Sequence, residues 1–188
     1  MKKIVSLCAA VFFLAQAGFA QSTGKPPKVL LLIAEQAITQ PPHGWWAGEA
    51  DLSITEQELA NVLITNGFIV LAPQDLEETI KLRPAFRKVS IAEQDSVALG
   101  RLAKADYIIL GKAVGSKGGK VPESTMCSFF ANTTAKIVRV KDKKVIAYLD
   151  ASGSSVHLEE LTGAREALKK AAQELSTKIL QVLSKGGS

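Results

Sequence analysis

Tyr107-Ile108-Ile109-Leu110 constrains this chain more than any other stretch. Four β-forming residues stand in a row, with Ala105-Asp106 before them and Gly111 behind. A short unbroken apolar run bounded by turn residues is the mark of a strand covered on both faces. A helix-like segment precedes it, and two strand-like runs and a long helical pattern follow. It therefore reads as the central strand of one sheet.

The chain before it alternates strand and helix. Val29 to Ala34 reads as a first buried strand, and a loop with Pro41, Pro42 and Gly44 follows. Ser53-Ile54-Thr55-Glu56 has capping-box spacing, in which serine and glutamate each answer an orphan amide at a helix start. Leu59, Val62 and Leu63 line one face of that helix, and Asn66-Gly67 is a fitting stop. Phe68 to Leu71 reads as a second strand. A short helix is expected over Gln74–Lys81. Ser90-Ile91-Ala92-Glu93 repeats the capping spacing before a helix with Ala98, Leu102 and Ala105 at helical intervals. Such strand–helix–strand pairings favour parallel neighbours.

Beyond the central strand the pattern changes. Gly115 to Glu123, rich in glycine and lysine, reads as a loop. Cys127–Val140 and Val145–Val156 read as an antiparallel hairpin closed by Lys141-Asp142-Lys143-Lys144. Ala131, Thr133, Ala135 and Ile137 share one face of its first arm, and Ala147, Leu149 and Ala151 one face of its second. Residues this small would let a helix lie close to the sheet. Leu161, Ala164, Leu168, Ala171, Leu175, Ile179 and Val182, at steps of three and four, supply that helix. Glu166 with Lys170, and Glu174 with Lys178, are spaced as exposed ion pairs on it. The expected fold is α/β (α+β): a single mixed sheet packed with helices, βαβ units followed by an antiparallel hairpin and a long C-terminal helix.

Lys2 and Lys3, the apolar stretch Ile4–Leu14 and small residues at Ala15–Ala20 spell a secretory signal peptide cleaved after Ala17 or Ala20. The expected organisation is a signal peptide at 1–20, a flexible lead-in at 21–28, one domain at 29–185 and a disordered tail at 186–188. Cys8 lacks a lipid-attachment context, so a periplasmic protein without a lipid anchor is expected. Removing Lys2 and Lys3 lowers the net charge from +5 to +3, a mildly basic balance that requires no acidic partner. Only Cys127 survives cleavage, which leaves no intramolecular disulfide.

No reactive constellation stands out, and neither catalysis nor a cofactor is expected. His157-Leu158-Glu159-Glu160 lacks the second histidine that a zinc site wants, and reads as a solvated helix start. Asp150, Ser154, Ser155 and His157 crowd one strand end, where a catalytic triad draws its parts from separate elements. Gly115-Ser116-Lys117-Gly118-Gly119-Lys120 is one residue short of a phosphate loop, and Val121-Pro122 follows it. Cys127 reads as a small buried hydrophobe, with an intermolecular disulfide as the alternative.

Two stretches read as surfaces. His43, Trp45 and Trp46 lie in the loop after the first strand; they either close one end of the core or anchor a partner, since tryptophan is enriched at binding hot spots. Arg83, Arg87 and Lys88, with Lys81, are either a solvated loop or a patch for an acidic partner. Nucleic acid is not expected, because no aromatic–basic interleaving offers stacking on bases.

Ala105 to Gly111, the strand ending Ile137-Val138-Arg139-Val140 with Lys141 to Ala147 after it, Gly153, and Ala164 to Ala172 together resemble a periplasmic superfamily. Its members include the periplasmic domain of the curli-secretion channel (CsgG-like), the middle domain of flagellar assembly protein T, penicillin-binding-protein activators and the amino-terminal domain of TolB. The resemblance implies a helix-backed sheet without enzymatic activity, used as an assembly or docking module. The partner it implies is an envelope protein associated with the outer membrane or cell wall, with a homo-oligomer as a further option. Residues Gly115–Glu123 lack the alternating runs a membrane-spanning strand needs, so no pore is expected. The alternative function is a periplasmic binder of a small ligand or cell-wall fragment.

Overall fold

A computed structural model of the chain describes residues 25–36, 53–71, 76 and 93–185. In chain order these form β1 (Lys28–Gln36), α1 (Ile54–Thr65), β2 (Ile69–Leu71), α2 (Glu93–Leu102), β3 (Tyr107–Lys120), β4 (Cys127–Arg139), β5 (Lys144–His157) and α3 (Glu160–Lys185). The strands make one mixed sheet in the order β2-β1-β3-β4-β5, with β3 in the middle. β1 runs parallel to both β2 and β3, whereas β3, β4 and β5 are antiparallel. The expected mixed sheet, hairpin and terminal helix are all present. Apart from Leu76, the helix expected over Gln74–Lys81 lies outside the described residues, as do the capping residues Ser90–Ala92, the signal segment and the tail.

Strand alternation sorts the core into two faces. Val29, Leu31, Ile33, Ile109 and Ile137 point to one, where they meet Leu59 and Leu63 of α1 and Leu175, Ile179 and Leu183 of α3. Leu30, Leu32, Ile108, Leu110 and Val138 point to the other, against Val97 and Leu99 of α2. Capping of α1 follows the Ser53–Glu56 spacing in both directions, and Gly67 ends the helix at φ +84°.

Three expectations are corrected. Gly115–Glu123 is not a loop up to Lys120: β3 continues through it, with Gly115 opposite Ala131 and Lys120 opposite Cys127 across one register shift. Glycine and lysine are poor strand formers, but β4 alternates without interruption and templates a partner along its whole length. This pairing also removes the likeness to a phosphate loop. Second, Leu102 is 48% exposed, and α2 turns Ser96, Val97, Leu99 and Gly100 inward instead. Gly100 is the reason: a side chain there would run into Ile108 and Val140, so the helix seats its glycine on the sheet. Third, Leu161 is 43% exposed in the first turn of α3, while Leu183 joins the core at the other end.

Close seating of α3 governs the packing. Ala164, Ala167, Ala171 and Ala172 are all buried. A Cβ on Gly153 of β5 would collide with the carbonyl of Ala167 and come within 2.6 Å of the amide nitrogen of Ala171. A Cβ on Gly163 would enter the ring of Phe129. Helix backbone thus lies directly on the sheet at Gly153. Ser155 pins the start of the helix by donating to the Gly163 carbonyl at 2.6 Å.

From this position α3 also covers the free edge of β5. Lys170 donates to the Ser154 carbonyl at 2.9 Å, and Lys178 to the Asp150 carbonyl at 2.7 Å. Glu174 accepts the Ser152 amide at 3.3 Å and pairs with Lys178 at 2.7 Å. Side chains one helical turn apart therefore answer every second residue of the strand, at Asp150, Ser152 and Ser154. Exposed edges invite pairing with other chains, and charged side chains are a common guard. The Glu174–Lys178 pair expected from spacing is present, whereas Lys170 reaches the strand.

Two outcomes follow from this packing. Gly153→Val forces helix backbone off the sheet and should cost about 1–3 kcal/mol in urea unfolding. Gly115→Ala should be near neutral, because its nearest neighbours would lie 3.8 Å away. Replacing Lys170, Glu174 and Lys178 together by alanine should speed hydrogen exchange of the Ser152 amide at least about tenfold. It should also shift the chain from its wild-type mass to larger species in sedimentation; unchanged exchange and mass would mean these side chains guard nothing.

Candidate functional site

β1 is where the strand order of the parallel part of the sheet reverses, with β2 on one side and β3 on the other. α1 crosses one face to reach β2 on one side, and α2 lies on the opposite face before β3 on the other. In open α/β sheets ligands favour the crevice outside the carboxyl end of such a strand. Here that end carries Glu35, which is 8% exposed, facing Glu56 of α1, which is 4% exposed. The Glu35 carboxylate accepts the Thr55 amide at 2.9 Å and the Thr55 hydroxyl at 2.6 Å. Glu56 accepts the Ser53 amide at 3.3 Å and the Ser53 hydroxyl at 3.2 Å.

Glu56 performs a second task. The Pro27 carbonyl bonds to Ile69 on the β2 side, whereas the Lys28 carbonyl bonds to Asp106 on the β3 side. Odd-numbered residues of β1 therefore face β2, which ends opposite Leu30. On that edge no described strand lies beside Ile33, and its amide donates to Glu56 Oε1 at 3.4 Å. A carboxylate replaces the missing strand. Burial, with Glu35 nearby adding to it, pushes the Glu56 carboxyl up from 4.5 to about 7, against the pull of its hydrogen bonds. The helix start that could hold an outside anion is already occupied by the chain's own acids.

A different region presents apolar surface. Both α1 and α3 cover one face of the sheet, but α2 covers only part of the other. Toward the β3–β4 turn that second face carries Phe130, 47% exposed, and Val156, 50% exposed. Ser128 pairs with Val156 and Phe130 with Ser154, so the two apolar side chains are diagonal neighbours on adjacent strands. One step beyond the Cys127–His157 pair, Met126 and Leu158 are 40% and 66% exposed. The Phe130 ring lies over Gly118 of β3, where a Cβ would stand 2.6 Å from it. Glycine in that strand makes room for the ring.

His43, Trp45, Trp46, Arg83, Arg87 and Lys88 all lie outside the described residues, so nothing here brings them together. The residues weighed for chemistry are separated. Ser155 is buried toward α3, while its strand neighbour Ser154 points to the opposite face and is exposed. His157 Nδ1 accepts the Glu159 amide at 2.9 Å at the entrance to α3, as a solvated helix start does. Cys127 is a half-buried free thiol at the start of β4, packed beside the cluster that holds Phe129. Among the described residues no group of three or more metal-binding side chains converges.

Sequence reasoning passed over Glu35 and Phe130. Phe130 was legible: if Ala131, Thr133 and Ala135 face the helix, Phe130 must face away. Glu35 left no signal, because its burial depends on where α1 begins in space.

Charging Glu56 in the folded state is unfavourable, whereas the unfolded chain loses that proton near 4.5. The folded chain therefore binds the extra proton between those values, and stability should rise as pH falls from about 8 toward 5. Integrated over that window the gain is a few kcal/mol. Glu56→Gln removes this titration and should flatten the unfolding midpoint over the same range; an equal slope in the variant would assign it elsewhere.

No family model matches the sequence, and no curated protein matches it. Among solved structures the chain is similar to lipoprotein GNA1162 from Neisseria meningitidis, at 14% identity over 85% of this chain and 99% of that one, with a TM-score of 0.46. It is similar to a minor lipoprotein from Acinetobacter baumannii, at 12% identity over 84% and 94%, with a TM-score of 0.47. The LpoB C-terminal domain from Salmonella enterica is a third, at 16% identity over 74% and 89%, with a TM-score of 0.39.

Proposed function

We propose that this chain is a non-catalytic interaction module of the cell envelope, exported to the periplasm and accessory to an outer-membrane or flagellar complex. The observation that carries the reading is the half-exposed pair Phe130 and Val156 on the sheet face that α2 leaves open, with Met126 and Leu158 exposed just beyond the strand ends. Grouped apolar side chains on an otherwise polar face favour burial against another protein. Phe130 and Val156 stand on paired strands, so a partner meets them already ordered, with little loss of freedom on binding. The occupant this strip fits is a folded envelope protein presenting an apolar surface of its own. The β5 edge is a poorer place for partner-strand addition between Asp150 and Ser154, because α3 side chains already occupy its backbone groups.

The test is a photo-crosslinking residue at position 130 in the native envelope, followed by identification of the captured protein. Phe130→Asp with Val156→Asp should lower the melting temperature only modestly and keep the fold, since both side chains are about half exposed. The same change should weaken the purified complex by at least about 2 kcal/mol, roughly thirtyfold. Retained affinity in the doubly substituted chain would place the interface elsewhere.

A further inference from the structure

At the opposite end of the sheet the chemistry is different. Gln94, Val97, Ala98 and Arg101 recur at steps of three, one and three, so they form one stripe along α2. That stripe is one wall of an open cavity of about 380 Å³, and Lys143 of the β4–β5 turn stands on the other side. Gln94 and Arg101 are seven residues apart, which sets the two polar ends about 10 Å from each other along the helix. Between them the floor is apolar, with Val97 buried and Ala98 half-buried.

Among the described residues, the exposed charged side chains near this cavity are mostly cations. Asp106 pairs with Val140 through the backbone at 2.9 Å, which brings the residues after α2 beside the hairpin turn. Lys104, Lys141 and Lys144 are exposed there together with Arg101 and Lys143. Two of the described acids nearby have partners. Asp142 pairs with Arg139 at 3.3 Å, and the Asp106 carboxylate accepts the Lys28 amide at 2.8 Å. Asp95 lies off the cavity stripe of α2. Cations grouped in this way raise the local concentration of anions, and arginine with lysine supplies several charge-assisted donors to an oxyanion. The volume falls within the range of small-ligand sites.

We propose that the cavity between α2 and the β4–β5 turn binds a small oxyanion, a phosphate or carboxylate carried on a neutral body about 10 Å long. Arg101 and Lys143 hold the anionic group. The body lies over Val97 and Ala98, and the Gln94 amide meets a hydroxyl or carbonyl at its far end. This takes up the ligand-binding alternative and is independent of the apolar strip, which lies at the other end of β4 and β5.

The experiment follows amide and arginine side-chain NMR signals of the purified chain during addition of glycerol 3-phosphate, glucuronate or uncharged glycerol. Vesicles of phosphatidylcholine with and without phosphatidylglycerol form a separate arm. The expected result is saturable shifts at Val97, Ala98, Arg101 and Lys143 with at least one anion and none with glycerol. Affinity should fall as salt is raised, and at least about tenfold in Arg101→Gln with Lys143→Gln. Both variants change exposed side chains, and an unchanged melting temperature confirms the fold. Saturation by a soluble anion identifies a free ligand; binding only to the phosphatidylglycerol vesicles, lost in the same variants, identifies a headgroup. Absence of saturable shifts in every arm, or equal affinity in the variants, overturns the proposal. The Phe130→Asp, Val156→Asp chain should bind the anion as wild type does, which separates this result from failure of the apolar strip.

Discussion

Contact between the backbone of α3 and Gly153 is the constraint on which the rest of the structure depends. Because no side chain intervenes, the helix lies low on β4 and β5, and its alanines fill the space that larger residues would hold open. Low seating brings Lys170, Glu174 and Lys178 within reach of the outer backbone of β5. A helix held further away could bury the same leucines yet leave that edge bare. It also leaves space for α1 to pack against α3 on the same face, where Lys169 pairs with Glu58 at 3.1 Å.

Uneven cover of the two faces follows. Two helices share one face, while the other has α2 across β1, β3 and the near end of β4. Since β4 and β5 extend well past α2, their far ends present Phe130 and Val156 to solvent, while the turn that joins them places Lys143 at the cavity beside α2. Apolar and cationic surfaces thus stand at opposite ends of one long hairpin. Phe130 and Val156 stand on paired strands, whereas Arg101 belongs to α2 and Lys143 to the β4–β5 turn.

Glu56 shows how one residue serves local and distant demands at once. Its place three residues after Ser53 belongs to the helix cap, and that much is local. Its contact with Ile33 exists because β2 is three residues long and leaves that edge of β1 open beyond Leu30. The same burial that lets it reach Ile33 makes its charge unfavourable near neutral pH. Stability and proton binding are thereby coupled at a position that spacing alone identifies as an ordinary cap.

Local chemistry determined the elements of this protein. The apolar run Tyr107–Leu110, the Ser53–Glu56 box and the Asn66-Gly67 stop act on neighbours within a few positions, so their consequences can be read in order along the chain. Tertiary structure alone decided that Gly115–Lys120 is strand, that Gly100 and not Leu102 meets the sheet, and that Gly153 touches helix backbone. It also decided that Glu35 is buried and that Arg101 stands across a cavity from Lys143. Each of these depends on a partner in another element, and the energy that selects it belongs to the contact, which neither segment contains by itself.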